Sequence, residues 1–281
     1  MPELPEVEYI ARQLRTALVG RDIVAAEVLW PRAIATPDSA EFAARIAGQR
    51  VTGIGRRAKY LLIELGDGDV LLVHRRMTGN LILAGALTEA AVDVPYTRVR
   101  FTLDDGQRLL FTDPRKFGRL ALLPMADLPH FFRALGPEPL EDAFTAAALG
   151  ARLAGRARAI KALLLDQAVL AGLGNIYADE ALFRAGIHPL RPGTSLVPAE
   201  IAALHAAIRA VLMSGIEHGG TTIGRHRDIY DEAGANLEHL LVYQHTGQPC
   251  VRCGTSIQRI VVAQRGTHFC PHCQPATTPE R

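Results

Sequence analysis

Four cysteines carry the strongest chemical pattern in the chain. Cys250 and Cys253 form one C-x2-C pair, Cys270 and Cys273 form another, and residues 254–269 separate the two pairs. This is the spacing of a four-cysteine zinc ribbon. Four thiolates fill the tetrahedral coordination of zinc and leave no position open for a substrate, so the predicted cofactor is one structural Zn²⁺. Two disulfides are the alternative, which a reducing cytoplasm disfavours. The ribbon by itself fits DNA, RNA or protein as a partner.

The chain begins Met-Pro-Glu-Leu-Pro-Glu, so a proline follows the initiator methionine. Removal of Met1, which is common before a small residue, would leave the α-amine of Pro2. An α-amine has a reference pKa near ~8, against ~10.4 for a lysine side chain. A free amine attacks an aldehyde-level carbon to form an iminium, and Glu3 and Glu6 supply carboxylates for proton transfer beside it. Many proteins without this chemistry also begin Met-Pro-Glu, so the pattern alone does not decide.

Lysine is rare in the chain, which makes each lysine a candidate for a specific role. Of 31 basic residues only Lys59, Lys116 and Lys161 are lysines, and an ammonium can release a proton or act as a compact charge where a guanidinium does not. Lys161 precedes a turn, residues 171–177, whose two glycines before a helix let backbone amides face outward. Asn175 in this turn suits a helix N-cap or a phosphate contact. The spacing of residues 171–177 fits an ordinary glycine turn between two helices equally well.

Two kinds of elements must position these residues. Residues 4–19 have helical spacing, and Gly66-Asp67-Gly68-Asp69 and Asp104-Asp105-Gly106-Gln107 indicate hairpin turns, so we predict one helix followed by a β-sandwich. The predicted strands are 23–30, 51–55, 60–65, 70–74, 81–83, 99–103, 109–112 and 120–123. After a proline-punctuated linker the pattern becomes helical, and short β runs from residue 241 carry the cysteines. The predicted helices are 145–153, 159–170, 175–185 and 198–217.

Length and composition set broad bounds on the class of protein. The chain has 281 residues, of which 48% are hydrophobic, so a substantial core is available. No uninterrupted apolar run approaches the roughly 18–20 residues that span a membrane, and the acidic N-terminus lacks the basic region of a secretory signal. A soluble cytoplasmic protein is therefore expected. The net charge of +2 neither requires nor excludes nucleic acid, because a local patch matters more than the total.

Six segments in one order give the chain a specific resemblance. It resembles the bacterial formamidopyrimidine-DNA glycosylase and endonuclease VIII family along nearly its whole length, and its first eight residues look more like the former enzyme. The matching segments are Met1-Pro2-Glu3-Leu4-Pro5-Glu6-Val7-Glu8, Arg57-Ala58-Lys59-Tyr60-Leu61, His74-x-x-Met77-Thr78-Gly79, Asp113-Pro114-Arg115-Lys116-Phe117-Gly118, Gly174-Asn175-Ile176-Tyr177 and the zinc ribbon with Gln264-Arg265.

The resemblance implies catalytic roles for five residues. Pro2 would be the nucleophile that displaces the damaged base at the sugar C1′ and forms a Schiff base. Glu3 would donate a proton at that step, with Glu6 as a nearby structural or acid–base carboxylate. Lys59 would assist β-elimination and contact phosphate, and Arg265 would assist δ-elimination from the zinc hairpin.

The resemblance also implies a set of DNA contacts. Met77, Arg115 and Phe117 would fill the gap left by the flipped base, since base flippers must replace the lost stacking. Lys161 and Asn175 would grip phosphates around the lesion. Two further residues are assigned to DNA binding, Tyr96 and Arg158. His74 is interpreted as a structural histidine rather than a catalyst.

Several positions depart from the family's pattern. Arg75 and Arg76 stand where the family usually has an apolar residue and a glycine, and Tyr96 stands where a DNA-contacting histidine is usual. Asn236 appears where a phenylalanine is common, in the loop that would cover an extruded purine. That loop also carries Arg225, His226 and Arg227.

The sequence and the resemblance together predict an α+β protein of two domains. The first is an N-terminal helix plus β-sandwich catalytic domain, and the second is a helix–two-turn–helix module with a zinc ribbon. The predicted boundaries are 1–123 for the catalytic domain, 124–144 for the linker, 145–240 for the DNA-binding domain with its lesion loop, 241–275 for the zinc ribbon and 276–281 for the tail.

The predicted function is that of a bifunctional DNA glycosylase and apurinic/apyrimidinic lyase of base excision repair. Its substrates would be oxidised purines, namely formamidopyrimidines and 8-oxoguanine. The alternatives are an oxidised-pyrimidine glycosylase of the endonuclease VIII type and a non-catalytic damaged-DNA-binding protein of the same fold. The expected partner is damaged double-stranded DNA, with no membrane, and the protein is expected to be a monomer in the bacterial cytoplasm, associated with the nucleoid through DNA.

Overall fold

The chain folds into two compact units. Unit 1 comprises Met1–Arg133 and Ile216–Leu237, and unit 2 comprises Ala134–Gly215 and Glu238–Arg281. Unit 1 holds the large sheet, and unit 2 holds four helices and a β-hairpin, which is the α+β organisation that the sequence predicts. The structure, a computed structural model, describes residues 2–85, 94–224 and 226–276. Arg225 and nearly all of the predicted tail therefore lie outside the described residues.

Helices and strands follow the predicted order closely. The helices are α1 (Leu4–Leu18), α2 (Ser39–Ile46), α3 (Leu128–Phe131), α4 (Ala146–Leu153), α5 (Ile160–Leu165), α6 (Asn175–Ala185) and α7 (Pro198–Glu217). The strands are β1 (Asp22–Val28), β2 (Ile34–Thr36), β3 (Gln49–Arg57), β4 (Tyr60–Leu65), β5 (Asp69–His74), β6 (Asn80–Ala84), β7 (Thr97–Leu103), β8 (Arg108–Thr112), β9 (Arg119–Pro124), β10 (Gln258–Val262) and β11 (Arg265–Phe269).

The described part of unit 1 forms a nine-stranded sheet in the order β2-β9-β5-β4-β3-β1-β7-β8-β6. Neighbouring strands are antiparallel except for β2 and β9. The β1–β3 junction has only two residue pairs, so the sheet divides there into two groups of strands. Both groups and the apolar stripe of α1 contribute side chains to one core, as a sandwich requires.

Helix α1 begins at the residues that the sequence singles out for chemistry. Glu3 is its N-cap and forms a capping box with Glu6, and Pro5 occupies the first turn, where the missing N–H costs nothing. The helix buries Val7 and Leu14 with the rest of its apolar stripe against the sheet. Burial of this stripe fixes the position of the N-terminus, since α1 starts only two residues after Pro2.

The segment between the first two predicted strands contains a helix that periodicity did not reveal. Helix α2 and strand β2 lie between β1 and β3, where we predicted no element. Asp38 caps α2 by accepting hydrogen bonds from the amides of Ala40 and Glu41. Phe42 and Ile46 are completely buried in the core. The helix has only eight residues, which is too short for a clear apolar repeat.

Helix α5 is half the predicted length. It ends at Leu165 rather than at residue 170, because the carboxylate of Asp166 accepts a hydrogen bond from the amide of Ala168 and starts a turn. Val169 and Leu170 after Asp166 are buried, so the apolar pattern resembled a continuing helix.

Helix α7 spans 20 residues and has a mean hydropathy of 1.4 over an 18-residue window. By length and composition alone it could cross a membrane, which the search for uninterrupted apolar runs did not anticipate. This is weak evidence for a membrane span, because the core helix of a soluble protein passes the same test. Leu204, Ile208 and Leu212 are fully buried, and Arg209 donates to the carbonyl oxygen of Pro139.

Residues 216–237 group with unit 1, whereas the sequence placed them with the helical domain that ends at residue 240. Ile229 is completely buried in the core of the sheet, and its carbonyl oxygen accepts a hydrogen bond from the amide of Leu83 at 2.8 Å. The carboxylate of Asp228 accepts a hydrogen bond from Gln13 Nε2 at 2.7 Å. The loop is therefore held by α1 and β6.

Candidate functional site

The N-terminal residues form a buried polar site. Pro2 is buried, and Glu3 and Glu6 are only 3% and 7% exposed. One oxygen of the Glu6 carboxylate accepts from the amide of Glu3 at 2.7 Å, and the other accepts from the amide of Thr221 at 2.8 Å. Glu6 therefore joins the start of α1 to the 221–237 loop. This geometry favours the structural role for Glu6, since both of its oxygens are engaged.

Lys59 lies in the two-residue turn between β3 and β4 and is 7% exposed. Ala58, the other turn residue, has a φ of 51°, in the left-handed region. Arg56 holds the turn by donating to the carbonyl oxygen of Ala58 at 3.0 Å, and its guanidinium also pairs with Glu8 of α1 at 3.1 Å. The helix that carries the N-terminal site thus also fixes the Lys59 turn.

Three residues predicted to fill a gap in the DNA stack lie together on the surface. Met77 and Phe117 are 44% and 47% exposed, which is unusual for side chains of this size. The guanidinium of Arg115 lies 4.7 Å from the centre of the Phe117 ring and 3.6 Å from the Met77 sulfur. The three side chains form one apolar and cationic projection.

Asp113 holds this projection from below. Its buried carboxylate accepts hydrogen bonds from the hydroxyl of Thr78 and from the amides of Arg115 and Gly118. Its own amide donates to the carbonyl oxygen of Tyr96 at 3.0 Å. Tyr96 is 51% exposed, so its ring is available to a partner beside the projection.

His74 is a structural histidine, in agreement with the sequence interpretation. It is 8% exposed, its Nδ1 accepts from the amide of Arg76 at 3.1 Å, and its ring meets that of Tyr60 edge-on at 4.5 Å. Burial, with the charges of Arg76 and Lys59, lowers the pKa of His74 to about 4. The ring is therefore neutral at physiological pH.

A small pocket of about 250 Å³, including its open mouth, lies between α1 and the 221–237 loop. Glu6, Tyr9, Thr222 and His226 are among the residues that line it. Burial, with the charge of Arg75, lowers the pKa of His226 to about 3. Asn236, one of the departures from the family pattern, is buried and donates to the Thr221 hydroxyl, so it supports the loop from within.

Lys161 does not occupy the exposed position that a direct phosphate contact requires. Its side chain is completely buried in unit 2, where its ammonium pairs with the buried Asp179 carboxylate at 2.6 Å. The ammonium also donates to the Thr267 hydroxyl at 2.7 Å and to the carbonyl oxygen of Gly266 at 3.1 Å. Lys161 therefore positions the tip of the β10–β11 hairpin, which corrects its predicted role.

The hairpin tip carries Arg265 into solvent. Ala263 and Gln264 form its turn with φ values of 47° and 60°, a left-handed pair that glycine or asparagine normally supplies. Asn175 Nδ2 donates to the carbonyl oxygen of Gly266 at 3.0 Å, alongside Lys161. Asn175 is partly exposed, so it both supports the tip and reaches the surface.

Arg158 is exposed at the start of the α5 region. Its guanidinium pairs with Asp166 at 3.1 Å, and its side chain is 56% exposed. An exposed pair of this kind contributes little to stability, so Arg158 is able to exchange Asp166 for another anion.

The four cysteine sulfurs lie within 4.8 Å of one another. The Cys250–Cys273 and Cys253–Cys270 sulfur distances are 3.9 and 3.5 Å. Sulfurs at ~2.3 Å from one tetrahedral zinc would be about 3.8 Å apart, so the four residues fit the metal. Disulfides require sulfurs at ~2.05 Å, which excludes that alternative in this arrangement. One structural Zn²⁺ is therefore the cofactor of this hairpin.

Family models match almost the whole chain. Residues 1–120 match the formamidopyrimidine-DNA glycosylase N-terminal domain, residues 135–227 match its H2TH domain, and residues 247–276 match a zinc finger found in FPG and IleRS. The formamidopyrimidine-DNA glycosylase of Chloroflexus aggregans is 53% identical over 275 residues, covering 98% of each chain. The chain belongs to the formamidopyrimidine-DNA glycosylase family. The family resemblance inferred from six motifs is thereby confirmed.

Solved structures of the formamidopyrimidine-DNA glycosylase family have the same fold. A mutant of the Lactococcus lactis FPG, in complex with a Fapy-dG containing DNA, is 38% identical and superposes with a TM-score of 0.91 over 98% of this chain and all of that chain. The Lactococcus lactis Fpg in complex with an abasic site containing DNA gives a TM-score of 0.90, covering 97% of this chain and 99% of that chain.

Sequence reasoning missed the residues that hold the functional turns. Arg56, Asp113 and Asp179 each support a predicted site residue through buried hydrogen bonds or ion pairs. Asp113 lies within a quoted motif, and the role of its carboxylate was recognisable as a turn-forming aspartate. Asp179 gives no such signal, because it looks like an ordinary polar residue on a helix.

We expect Lys161→Met to loosen the hairpin tip without loss of zinc. Breaking one side of a buried ion pair costs roughly 3–5 kcal/mol, because the remaining charge stays buried. Amide hydrogen exchange in residues 265–269 should accelerate while the zinc content is unchanged. The double variant Lys161→Met/Asp179→Asn, which removes both charges and keeps an acceptor for the His268 amide, should recover part of the lost stability. Unchanged exchange in the single variant would contradict the positioning role.

The lowered pKa values of His74 and His226 predict a loss of stability in mild acid. Unfolded histidine titrates near ~6.5, so below that pH the unfolded chain binds protons that the folded chain does not. Stability should fall as pH falls from about 6.5 toward about 4, by about 2 kcal/mol per histidine between about pH 7 and about pH 5. Urea unfolding at several pH values measures this. His74→Gln and His226→Gln should each flatten the slope, and an unchanged slope in both variants would contradict the assignment.

Metal removal should affect the hairpin selectively. A structural zinc contributes on the order of 10 kcal/mol to the fold of its own segment. Cys253→Ser should therefore lower zinc content and unprotect the β10–β11 amides, with the sheet of unit 1 intact by circular dichroism. Ser256→Ala in the same ribbon serves as the matched control and should keep its zinc. Absence of zinc from the unaltered protein would refute the assignment.

Proposed function

We propose that the chain is a bifunctional DNA glycosylase and apurinic/apyrimidinic lyase that removes oxidised purines from duplex DNA in base excision repair. The observation that carries this proposal is the Glu6 carboxylate, which joins the backbone of Glu3 to that of Thr221. It brings an N-terminal proline, an acid and a loop-covered pocket into one site. The named relatives, and the Lactococcus lactis proteins bound to Fapy-dG or abasic-site DNA, support the same chemistry.

The first chemical step is base release at Pro2. The proline nitrogen of the chain without Met1 attacks C1′, the bond from C1′ to the base breaks, and the base leaves with a proton. We assign delivery of that proton to Glu3, whose carboxyl group is buried beside Pro2. Loss of the proton on the proline nitrogen and opening of the sugar ring give the iminium.

Strand scission follows through two eliminations. Removal of a proton from C2′ of the iminium expels the 3′ phosphate, and a second elimination expels the 5′ phosphate. We assign assistance in the first to Lys59 and in the second to Arg265. A guanidinium holds its protons tightly, so Arg265 acts by its charge and orientation toward the leaving phosphate.

The DNA duplex is gripped at several surfaces. Met77, Arg115 and Phe117 form a projection that would occupy the gap left by an extruded base. Tyr96 adds a ring beside that projection, and the exposed guanidinium of Arg158 would contact a phosphate. We also assign Asn175 to a phosphate contact beside the hairpin tip that it supports. The protein acts as a monomer in the cytoplasm, associates with the nucleoid through DNA and has no membrane partner.

A second candidate is the removal of oxidised pyrimidines. It is favoured by a structure of the Lactococcus lactis FPG in complex with an oxidized pyrimidine containing DNA, which superposes with a TM-score of 0.90 and is 38% identical. A non-catalytic DNA-binding role is the weaker rival, since Pro2, Glu3 and Lys59 are all present.

Borohydride trapping tests the proposed function. The protein is incubated with duplexes that carry one formamidopyrimidine, 8-oxoguanine, oxidised pyrimidine or abasic site, and the iminium is reduced to a stable adduct. Peptide mapping should place the DNA on Pro2. Glu3→Gln should stop release of a purine lesion yet still nick the abasic duplex, which has no base to expel.

The controls test whether the α-amine at residue 2 is the nucleophile. Pro2→Gly with a free α-amine should still trap, whereas the same variant with a blocked N-terminus should not. Equal trapping by the blocked protein would show that another amine is the nucleophile. A chain that traps only on pyrimidine lesions would favour the second candidate, and one that traps on none of the duplexes would favour the binding protein.

A further inference from the structure

Arg75 is a buried arginine immediately after β5, at the start of the loop that carries Met77. Its side chain is 2% exposed. The guanidinium donates to the carbonyl oxygen of Gly79 at 2.8 Å and to the side-chain oxygen of Asn80, which closes the Met77 loop on itself. A Cβ at Gly79 would come within 2.5 Å of the Arg75 carbonyl oxygen, so the loop closes tightly only with glycine there.

The same guanidinium reaches the 221–237 loop. Nη2 of Arg75 donates to the carbonyl oxygen of Arg227 at 2.9 Å. The next two residues are held from the other side by Gln13 of α1, which donates to the Asp228 carboxylate at 2.7 Å and accepts from the Ile229 amide at 3.3 Å. Arg75 and Gln13 thus grip consecutive residues of one short segment, 227–229, from two elements.

The charge of Arg75 makes this tie specific. Burial lowers the pKa of Arg75 to about 10, and the nearby carboxylates of Glu6 and Asp228 oppose that effect, so the side chain is a cation at neutral pH. A buried cation is costly unless acceptors surround it. Three oxygen atoms from the two loops accept hydrogen bonds from the guanidinium, and the carboxylates of Glu6 and Asp228 lie near its charge. This arrangement of the two loops therefore stabilises the buried cation.

The tie depends on the hydrogen-bond donors of the Arg75 guanidinium. An apolar side chain at this position fills volume but donates no hydrogen bond to either loop. Arg227 and Asp228 of this segment line the same pocket as Glu6, Thr222 and His226. The Met77 loop carries one member of the exposed projection.

We propose that Arg75 is a positioning residue that locks the 227–229 segment to the Met77 loop and so presets the base pocket and the stack-filling projection in one geometry before DNA binds. The inference rests on the proposed function for its kinetic consequence. Arg75 touches no reacting atom, and it acts through the loops that it joins. Release of a lesion base needs both the pocket and the projection, whereas nicking of a preformed abasic site needs the projection but no base in the pocket, so lesion release should depend on Arg75 more strongly.

Arg75→Leu tests this, because leucine is an apolar side chain that donates no hydrogen bond to either loop. In the free protein, amide exchange should accelerate at residues 226–230 and stay unchanged in the core strands. Single-turnover release of a purine lesion should slow at least about tenfold, since misplacing reacting groups by an ångström lowers rates by up to about a hundredfold. Nicking of an abasic-site duplex, which needs no base in the pocket, should slow several-fold less than lesion release. Arg75→Lys keeps the charge but not the several donors of the guanidinium. Its rate of lesion release should lie between that of the unaltered protein and that of Arg75→Leu.

The controls make each outcome decisive. Arg50→Leu removes an exposed arginine that pairs with Asp22 on the sheet, and it should alter neither rate nor loop exchange. Equal slowing of lesion release and abasic-site nicking in Arg75→Leu, or unchanged exchange at 226–230, would overturn the proposal. If the unaltered chain neither releases bases nor nicks DNA, the proposed function fails, and the exchange measurement still decides whether Arg75 holds the two loops.

Discussion

The candidate site depends on one buried carboxylate. Glu6 accepts from the amide of Glu3 with one oxygen and from the amide of Thr221 with the other, across 215 residues of sequence. Removal of that side chain would leave two buried amides unsatisfied, and each such group costs about 1–3 kcal/mol. Because Glu3 is the N-cap of α1 and follows Pro2 directly, the same contact sets where Pro2 lies relative to the pocket. Catalysis by a chain terminus requires such a restraint, since termini are otherwise the least ordered parts of a domain.

The remaining functional turns are held on the same principle. Loops lack the regular hydrogen bonds of helices and sheets, so their backbone groups need partners from side chains. Arg56 serves the Lys59 turn, Asp113 serves the Arg115 turn, and Lys161 serves the Arg265 hairpin. Each of the three is an ionised side chain bonded to backbone groups, which makes a stronger hydrogen bond than a neutral one. Within each unit, the conformation of the candidate turns therefore depends on a charged side chain that bonds to their backbone.

The sequence revealed local features and failed where a partner lies far along the chain. The cysteine spacing gave the metal site, and long periodic helices such as α1 appeared with nearly correct ends. Lys161 was misjudged because its interpretation depended on being a rare cation, whereas its partner Asp179 is an unremarkable helix residue 18 positions away. Helix α2 escaped because eight residues hold too little periodicity. Arg75 was recognised as a departure, but its acceptor at Arg227 lies 152 residues away and only the fold brings the two together.

Backbone strain marks the places where these supports are needed. The described chain has eight residues other than glycine with positive φ, and six of them lie at the proposed functional turns. They are Ala58 before Lys59, Arg76 before Met77, Tyr96, Lys116 between Arg115 and Phe117, and the pair Ala263 and Gln264 before Arg265. Such conformations cost of order 1–3 kcal/mol each and persist only when the surroundings impose them. A relaxed turn would let these side chains sample many directions before DNA arrives. The buried supports instead offset the strain during folding, so each turn is already ordered in the free protein and less ordering is left for the binding of a partner.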